Sequence, residues 1–256
     1  LAQKKAGMDV SPLSQVKGGN QRLPDAMAAA LKSEVRFNKP AVFVDQNKTG
    51  VEVMCIDGSR YQADFLVSAI PLTALKAVNF APALSPEKAA AAKQIGYYQT
   101  TKFYLKPTKP FWDDDGYEPT MWTDSPIERV FAAQDADKNV HTLLVWINGQ
   151  GGQRMDKLGE SGSKQLVLDT MARLRPTSKG KLEVVGYHSW GKTPYISGCG
   201  ASFSAGQVRS FGKTILAPEG RIHFAGEHTR QFEHGMESAM ASGERVAIEI
   251  LSAADA

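Results

Sequence analysis

Two segments near the end of the chain, Arg221-Ile-His-Phe-Ala-Gly-Glu-His-Thr229 and Gly235-Met-Glu-Ser-Ala-Met-Ala-Ser-Gly-Glu-Arg-Val-Ala-Ile-Glu-Ile-Leu251, predict a strand, a loop and a helix. The apolar run at 222–225 stops at Gly226, as a buried strand would. In the second segment, apolar and small residues recur at spacings of three and four. They are Met236, Ala239, Met240, Gly243, Val246, Ala247 and Ile250. This pattern predicts one helix face packed closely against a neighbouring backbone.

The predicted loop and helix start carry groups that suit a nucleotide cofactor. A helix N-terminus offers unpaired N–H groups and a partial positive charge, which favour an anion or a polarised carbonyl. The Glu227 carboxylate, at the end of the strand, can accept hydrogen bonds from ribose or ribityl hydroxyls. We therefore take Gly226, Glu227, Gly235, Met236 and Glu237 as candidate cofactor-binding residues.

The same residues resemble a known signature. Phe224-Ala-Gly-Glu-His-Thr229, together with Gly-Met-Glu-Ser-Ala-Met-Ala-Ser-Gly-Glu-Arg245, is similar to the C-terminal FAD-binding signature of the flavin-containing amine oxidases. That family includes monoamine, polyamine and L-amino-acid oxidases. Gly-Glu alone would favour an ordinary strand–loop–helix of an α/β domain, but the length of the match favours the family.

The resemblance implies an α/β fold with an α+β substrate domain, as the C-terminal part of a two-domain FAD-binding fold like that of monoamine oxidase. Residues 16–72 and 217–256 are then expected to form parts of the FAD domain, and residues 73–216 the substrate domain. FAD is the expected cofactor. The rest of the chain alternates predicted strands and helices. Strands are predicted at 34–37, 41–45, 51–56, 61–65, 66–70, 96–105, 121–122, 130–131, 142–147 and 182–190, and helices at 23–31, 72–78, 85–94 and 161–174.

The composition of the chain argues against several classes of binding partner. The chain has 256 residues, 42% hydrophobic and 22% charged, with a scattered net charge of +3 that gives no argument for nucleic acid. No apolar run is long enough to span a membrane, so no membrane partner is expected. Cys55 and Cys199 form neither a disulfide framework nor a metal-ligand spacing, so no metal is expected. We expect a cytoplasmic protein, or a periplasmic one if an upstream segment carries an export signal.

Lys102 is the candidate catalytic residue. A mid-strand lysine is usually a solvated residue, and composition alone favours that interpretation. The resemblance implies instead that Lys102, followed by Pro110-Phe-Trp112, holds a water against flavin N5, with its ammonium pointing toward the flavin site. The resemblance also implies that Ala41 and Val42 lie by the adenine. The alternative for the preceding Pro40 is an edge-strand proline.

A second segment, Trp190-Gly-Lys-Thr-Pro-Tyr-Ile-Ser-Gly-Cys-Gly-Ala-Ser202, resembles the loop along the flavin's dimethylbenzene edge. Trp190 and Cys199 are therefore further cofactor-binding candidates. Cys199 falls where animal monoamine oxidases bond FAD covalently, but other members bind FAD without a bond, and we expect no bond here. A buried structural cysteine is the alternative.

The substrate site departs from the family pattern. Many amine oxidases flank the amine with two aromatic side chains, and the matching positions here are Gly200 and Gly235. Other walls are expected from Trp190, Phe203 or Phe232. His228 and His234 are expected to be satisfied loop histidines. Glycine at both positions favours a bulky or branched amine. Recognition of a carboxylate would need an arginine, for which Arg129, Arg154 and Arg209 are candidates that the sequence does not rank.

The Gly-x-Gly-x-x-Gly turn that cradles a cofactor diphosphate does not occur in the 256 residues, and the chain opens with Leu1-Ala-Gln rather than methionine. We expect a fragment that pairs with a missing N-terminal half or another chain. The expected activity of the whole is FAD-dependent oxidation of an amine to an imine and aldehyde, with oxygen reduced to hydrogen peroxide. A dehydrogenase or desaturase of the same fold, and a non-catalytic fragment, are the alternatives.

Overall fold

The computed structural model describes residues 16–135, 137–231 and 235–254, and the chain divides into two compact units, residues 1–40 and 41–256. In the described part of the first unit, a turn at Gly18 and Gly19 leads into helix α1 (Arg22–Ala29), which confirms the predicted helix. The strand predicted at 34–37 is wrong, since these residues belong to no strand. Asn38, at φ 57°, turns the chain there, and a proline without an amide hydrogen follows.

The second unit begins with a series of short strands, as predicted for residues 41–70. Its elements are β1 (Ala41–Gln46), β2 (Val51–Cys55), β3 (Arg60–Ala63), β4 (Leu66–Ser68), α2 (Leu72–Leu75) and β5 (Asn79–Ala81). The first sheet has the order β3-β2-β1-β5, antiparallel except for the parallel pair of β1 and β5. Asn47 and Asp57 accept backbone hydrogen bonds two residues ahead, from Thr49 and Ser59, so each turn is stabilised by its own neighbouring residues.

A larger antiparallel sheet follows, in the order β11-β7-β10-β9-β8. The elements of this region are α3 (Pro86–Gln94), β6 (Gly96–Tyr98), β7 (Thr100–Pro107), α4 (Trp112–Asp115), β8 (Met121–Trp122), β9 (Arg129–Gln134), β10 (Val140–Asn148), α5 (Gly149–Leu174) and β11 (Leu182–Ser189). Ser85 caps α3 by accepting the amide of Lys88, and Pro86 follows it as the first residue of the helix. The predicted strand 96–105 is two strands, because β6 leaves this sheet to pair elsewhere.

Helix α5 begins 12 residues earlier than predicted, at Gly149 rather than 161. Its first half is rich in glycine, which hid the helical pattern. Gly159 has a non-helical φ of 71° and breaks the helix into two parts. The helix packs on one face of the large sheet, where the buried core consists of Phe103, Leu105, Phe111, Ile127, Val130, Leu143, Val145, Ile147, Met155, Val167 and Met171.

The last elements are β12 (Gly200–Ser202), α6 (Gln207–Phe211), β13 (Ile222–Phe224) and α7 (Gly235–Ala254). β12 pairs with β6, and β13 pairs in parallel with β4. A second core joins β12 and β13 to the first sheet and to α2 and α3. It contains Val44, Val51, Leu72, Leu75, Ala91, Ala92, Ile95, Ala201, Ile215, Ile222 and Phe224. The two cores separate the large sheet from the rest, while the domain limits at 73 and 216 stay a prediction.

The face that α7 buries differs from the predicted one. Ser238, Ser242 and Val246 are buried at spacings of four, whereas Met236 is 48% exposed and Met240 38% exposed. Val246 of the predicted face is buried, but Met236, Met240, Gly243 and Ala247 are exposed, so the prediction of one closely packed apolar face is wrong for most of its residues. Ser242 is buried because its hydroxyl accepts the Gly226 amide in the loop before the helix, and an apolar pattern alone does not reveal that partner.

None of the helices in the described ranges has both the length and the apolar character needed to cross a bilayer. In the same ranges, no three His, Cys, Asp or Glu side chains are grouped to hold a metal ion.

Candidate functional site

The loop after β13 is held by its own backbone and by α7. Gly226 adopts φ 118°, a conformation that favours glycine, and its amide donates to Ser242 Oγ at 2.8 Å. The Gly226 carbonyl accepts from the Thr229 amide at 3.0 Å and from the Thr229 hydroxyl at 2.8 Å. The Gly-Glu turn at the strand end is thus fixed before any ligand binds.

Arg245 joins the strand, the loop and the helix. Its guanidinium donates to the Phe224 carbonyl at 2.7 Å and to Thr229 Oγ1 at 3.4 Å. It also pairs with Glu249 at 2.5 Å, and Glu249 contacts His223 Nδ1 at 3.2 Å. Partial burial of Glu249 opposes its ionisation, but hydrogen bonds from His223 and Arg245 hold its pKa below the usual value. This network, which the sequence did not predict, sets the position of the loop on α7.

Glu227 connects the two family-like segments. Its Oε2 accepts the amide of Ala201 on β12 at 3.3 Å, and its other oxygen pairs with Arg230. Arg230 also donates to the Ala201 carbonyl at 3.4 Å and lies over the Phe203 ring, 5.8 Å from its centre. The candidate residues Gly226, Glu227 and Phe203 are therefore brought together, although 26 residues separate Glu227 from Ala201.

Gly200 is buried against Tyr98. A Cβ at Gly200 would lie 3.0 Å from Tyr98 Cε1, so the tyrosine ring occupies the space that a side chain at 200 would need. Burial, and then the neighbouring Cys199, raise the pKa of the Tyr98 hydroxyl to about 12. Cys199 itself is exposed, so the alternative of a buried structural cysteine is wrong. Tyr98 was missed, and the only signal for it is the Tyr97-Tyr98 pair shortly before Lys102.

An open cavity of about 490 Å³ lies beside these residues. It is lined by Tyr98, Ala201, Ser202, Phe203, Val208, Gly212, Ile215, Arg230 and Gln231. The wall is mixed, with aromatic rings from Tyr98 and Phe203 and a guanidinium from Arg230. Such a lining suits a ligand that carries both an apolar body and a polar group.

Helix α7 begins at Gly235, which adopts φ 67°. No atom of the described chain lies within 4 Å of the point where a Cβ would project from Gly235, and Met236 and Glu237 are exposed. No described residue therefore covers the side of Gly235 where a Cβ would project, and the first amides of a helix can donate to the polar edge of a ligand. Glu237 partly offsets the positive end of the helix dipole. These residues fit the polar edge of a flavin. Phe232 and His234 lie outside the described residues.

Lys102 lies on the face of the large sheet opposite the core. It is half-buried, and its Nζ lies 4.1 Å from the centre of the Trp146 ring. On the other side, Lys102 pairs in register with His188 of β11, and the His188 ring contacts that of Trp190 at 4.6 Å. Trp146 was missed because its contact with Lys102 depends on strand register. Ala41 and Val42 are half-buried at the start of β1.

Lys88 is a buried cation that the sequence did not single out. It is 1% exposed, donates to the Ala217 carbonyl at 2.6 Å and lies over the Phe224 ring, 3.7 Å from its centre. Burial lowers its pKa to about 8. Burial, and then the charge of Lys88, lowers the pKa of His228 to about 4, so this loop histidine is neutral near pH 7. The sequence did not reveal Lys88 because a lysine in an amphipathic helix is normally expected on the solvent-facing side.

Known structures share this fold. A putrescine oxidase, solved as a triple mutant in a structure-based redesign of cofactor binding, matches with a TM-score of 0.81 at 25% identity, over 92% of this chain and 53% of that one. Cyclohexylamine oxidase from Brevibacterium oxydans matches with a TM-score of 0.76 at 19% identity, over 92% and 52%. At 19% identity the likeness concerns the fold alone. The mixed α/β fold is thus that of flavin amine oxidases, as predicted.

The family follows from the sequence comparison. The model of the flavin containing amine oxidoreductases matches residues 2–251, and the chain belongs to this family of oxidoreductase flavoproteins. An L-amino-acid oxidase of Protobothrops flavoviridis is 28% identical over 251 residues, 94% of this chain and 50% of that protein. One of Demansia vestigiata is 28% identical over 246 residues, 92% and 48%. The chain spans about half the length of the curated relatives it matches.

Proposed function

We propose that the protein acts in the FAD-dependent oxidation of an amine. The amine loses two electrons and two protons to become an imine, water converts the imine to a carbonyl compound and ammonia or a smaller amine, and oxygen is reduced to hydrogen peroxide. The observation that carries the proposal is the Glu227–Ala201 hydrogen bond, because it brings both family-like segments into one site beside the cavity. Family membership supports the flavin.

The bound flavin would supply the redox chemistry. In this proposal, Gly226, Glu227 and the start of α7 hold its ring system, and Trp190 and Cys199 lie along its edge. Ala41 and Val42 contact the adenine. Gly200, Phe203 and Phe232 border the amine.

In this proposal, Lys102 is the polar side chain that orients a water molecule on the substrate side of the flavin. Its ammonium, held over Trp146, would donate hydrogen bonds to a water and keep that water oriented. An ordered water is what the hydrolysis of the imine, or reoxidation by oxygen, requires. The ring of Trp146 is itself fixed, since its Nε1 donates to Asn148 Oδ1 at 2.8 Å.

We propose that retention of FAD needs a segment besides these 256 residues. The sequence has no glycine turn for the diphosphate. Within the described chain, β13 pairs only with β4, and the exposed methionines of α7 leave apolar surface uncovered. A further segment of the same protein, or another chain, would supply the phosphate site and cover β13 and α7. Gel filtration with detection at flavin wavelengths tests this. A yellow, monodisperse monomer of the 256 residues would contradict it.

The activity is tested on the longest form of the protein that retains flavin. Anaerobic mixing with a panel of primary amines, diamines and amino acids should bleach the flavin absorbance with at least one of them, and admission of air should restore the colour with release of peroxide. Bleaching without peroxide, but with an artificial electron acceptor consumed, would show a dehydrogenase. A protein that holds no flavin would show a non-catalytic chain. Acid precipitation should release the colour into solution, because we expect no bond between Cys199 and FAD.

A further inference from the structure

Five side chains form a line across the large sheet on the face opposite its core. Trp122 pairs in register with Arg129, and Trp146 pairs with Lys102, which pairs with His188. Val145 pairs with Val130, so the next residues along the two strands, Trp146 and Arg129, also lie side by side. We call Trp122, Arg129, Trp146, Lys102 and His188 the transverse row. Aromatic and cationic side chains alternate along it.

Arg129 is held between two indole rings. Its guanidinium carbon lies 5.2 Å from the centre of Trp122 and 5.5 Å from that of Trp146. The side chain is only 19% exposed, so much of the charge is removed from water. Flat indole faces keep the guanidinium in place by cation–π attraction without using its N–H donors.

Those donors have no close acceptor in the described chain. The nearest carboxylate is Glu128, whose Oε2 lies 4.0 Å from Arg129 NH2, beyond hydrogen-bonding distance. The same Oε2 accepts the amide of Asn148 at 3.0 Å. In contrast, the buried Arg175 is satisfied by Asp115 at two positions and by two backbone carbonyls. A largely buried guanidinium whose N–H donors have no acceptor in the protein is suited to bind an anion.

We propose that Arg129 binds the carboxylate of the substrate, so that the protein prefers amines that carry a carboxylate to the matched amines that lack one. This inference rests on the proposed amine oxidation. The guanidinium fork suits the planar carboxylate, which accepts two parallel hydrogen bonds. Lys102 and Arg129 both contact the ring of Trp146. With Lys102 in its proposed role beside the amine, Arg129 would bind the carboxylate end of the same substrate.

The structure also distinguishes Arg129 from the other two arginines that the sequence suggested for carboxylate recognition. Arg154, on α5, and Arg209, on α6, are exposed, and neither is enclosed by aromatic rings in the described chain. Exposed guanidinium groups gain little from an ion pair because water and salt screen the charge. Of these three candidates, Arg129 is therefore the one that can discriminate between substrates.

The first experiment measures binding without catalysis. Calorimetric titration of the chain compares 3-phenylpropionate with the neutral 3-phenylpropanol at constant ionic strength. Arg129→Met should weaken the carboxylate roughly 10- to 100-fold and leave the alcohol unchanged. Arg129→Lys should retain part of the affinity, and Arg154→Met is the matched control. Equal affinity of the wild-type chain and Arg129→Met for the carboxylate would overturn the proposal.

The second experiment uses the flavin-loaded protein and two matched pairs, phenylalanine with phenethylamine and 6-aminohexanoate with hexylamine. Arg129→Met should lower kcat/KM for a carboxylate-bearing member, mainly through KM, and spare its amine partner. Equal losses within both pairs, or weakened binding of flavin rather than of the carboxylate, would overturn the proposal. If no compound of either pair reduces the flavin, the proposed oxidation fails for these amines, while the titration still decides whether Arg129 binds a carboxylate.

Discussion

The carboxylate of Glu227 accepts a hydrogen bond from the backbone amide of Ala201 at 3.3 Å. The bond crosses from the loop after β13 to strand β12, and Arg230 reinforces it by contacting both Glu227 and the Ala201 carbonyl. Glu227 therefore shapes the site as well as offering an acceptor to a ligand. This double role determines how its replacement should be interpreted.

Replacing Glu227 by Ala should weaken FAD binding in the flavin-retaining protein by roughly 10-fold or more, since both the acceptor and the link to β12 are lost. The dissociation constant for FAD, measured by flavin fluorescence, checks this. Glu227→Gln can still accept from Ala201 and should lie between the two. The exposed Glu244 provides the control, Glu244→Ala. Full flavin occupancy of Glu227→Ala after extensive dialysis would contradict the prediction.

Lys102→Met should slow reduction or reoxidation of the flavin by roughly 10-fold or more, because the ammonium that orients the water is replaced by a group that cannot donate. Rapid mixing with substrate, and then with oxygen, measures the two steps separately. Lys106→Met is the control on the same strand, at an exposed position. If both rates in Lys102→Met equal those of the wild type, the residue is a structural part of the sheet only.

Gly200 should resist substitution because of Tyr98. Gly200→Phe should lower the free energy of unfolding by about 1–3 kcal/mol, since its side chain would overlap the tyrosine ring. Tyr98→Ala should relieve most of this loss in the double variant, and a double-mutant cycle by urea unfolding measures the coupling. Gly243→Ala, at a helix position with open space around it, should instead stabilise the protein. Additive effects at 98 and 200 would contradict the contact.

Lys88 should make stability rise with alkaline pH. Its folded-state pKa is about 8, below the ordinary 10.5, so between these values the unfolded chain binds more protons and the free energy of unfolding increases with pH. Below pH 8 the cost of the buried charge is fully present. Lys88→Met should therefore be more stable than the wild type at pH 7 by about 1–2 kcal/mol, with the advantage shrinking by pH 10.

Urea unfolding of both proteins at pH 7, 8.5 and 10 checks this difference, in which the titration of groups that do not interact with Lys88 cancels. Lys93→Met, at an exposed position of the same helix, should show no such trend. A Lys88→Met variant that is less stable at every pH by the same amount would indicate that the hydrogen bond to Ala217 and the contact with Phe224 outweigh the cost of burial.

The sequence by itself determined the features that depend on neighbours in the chain. The strand, loop and helix around Gly226 were readable from one contiguous stretch, and the turns at Asn47 and Asp57 from local side-chain hydrogen bonds. The cap of α3 at Ser85 was equally local. These features follow from the local sequence because the groups that stabilise them lie within a few residues of each other.

Only the tertiary structure decided which distant groups meet. Trp146 reaches Lys102 through the register of two strands 44 positions apart, and a shift by one residue would turn Lys102 toward the core. Likewise, Tyr98 fills the space at Gly200, and α7 buries Ser242 rather than its methionines. Burial and strand register depend on packing between distant parts of the chain. The sequence pattern of one helix or strand can therefore predict an apolar face, but it does not identify the residues that cover that face.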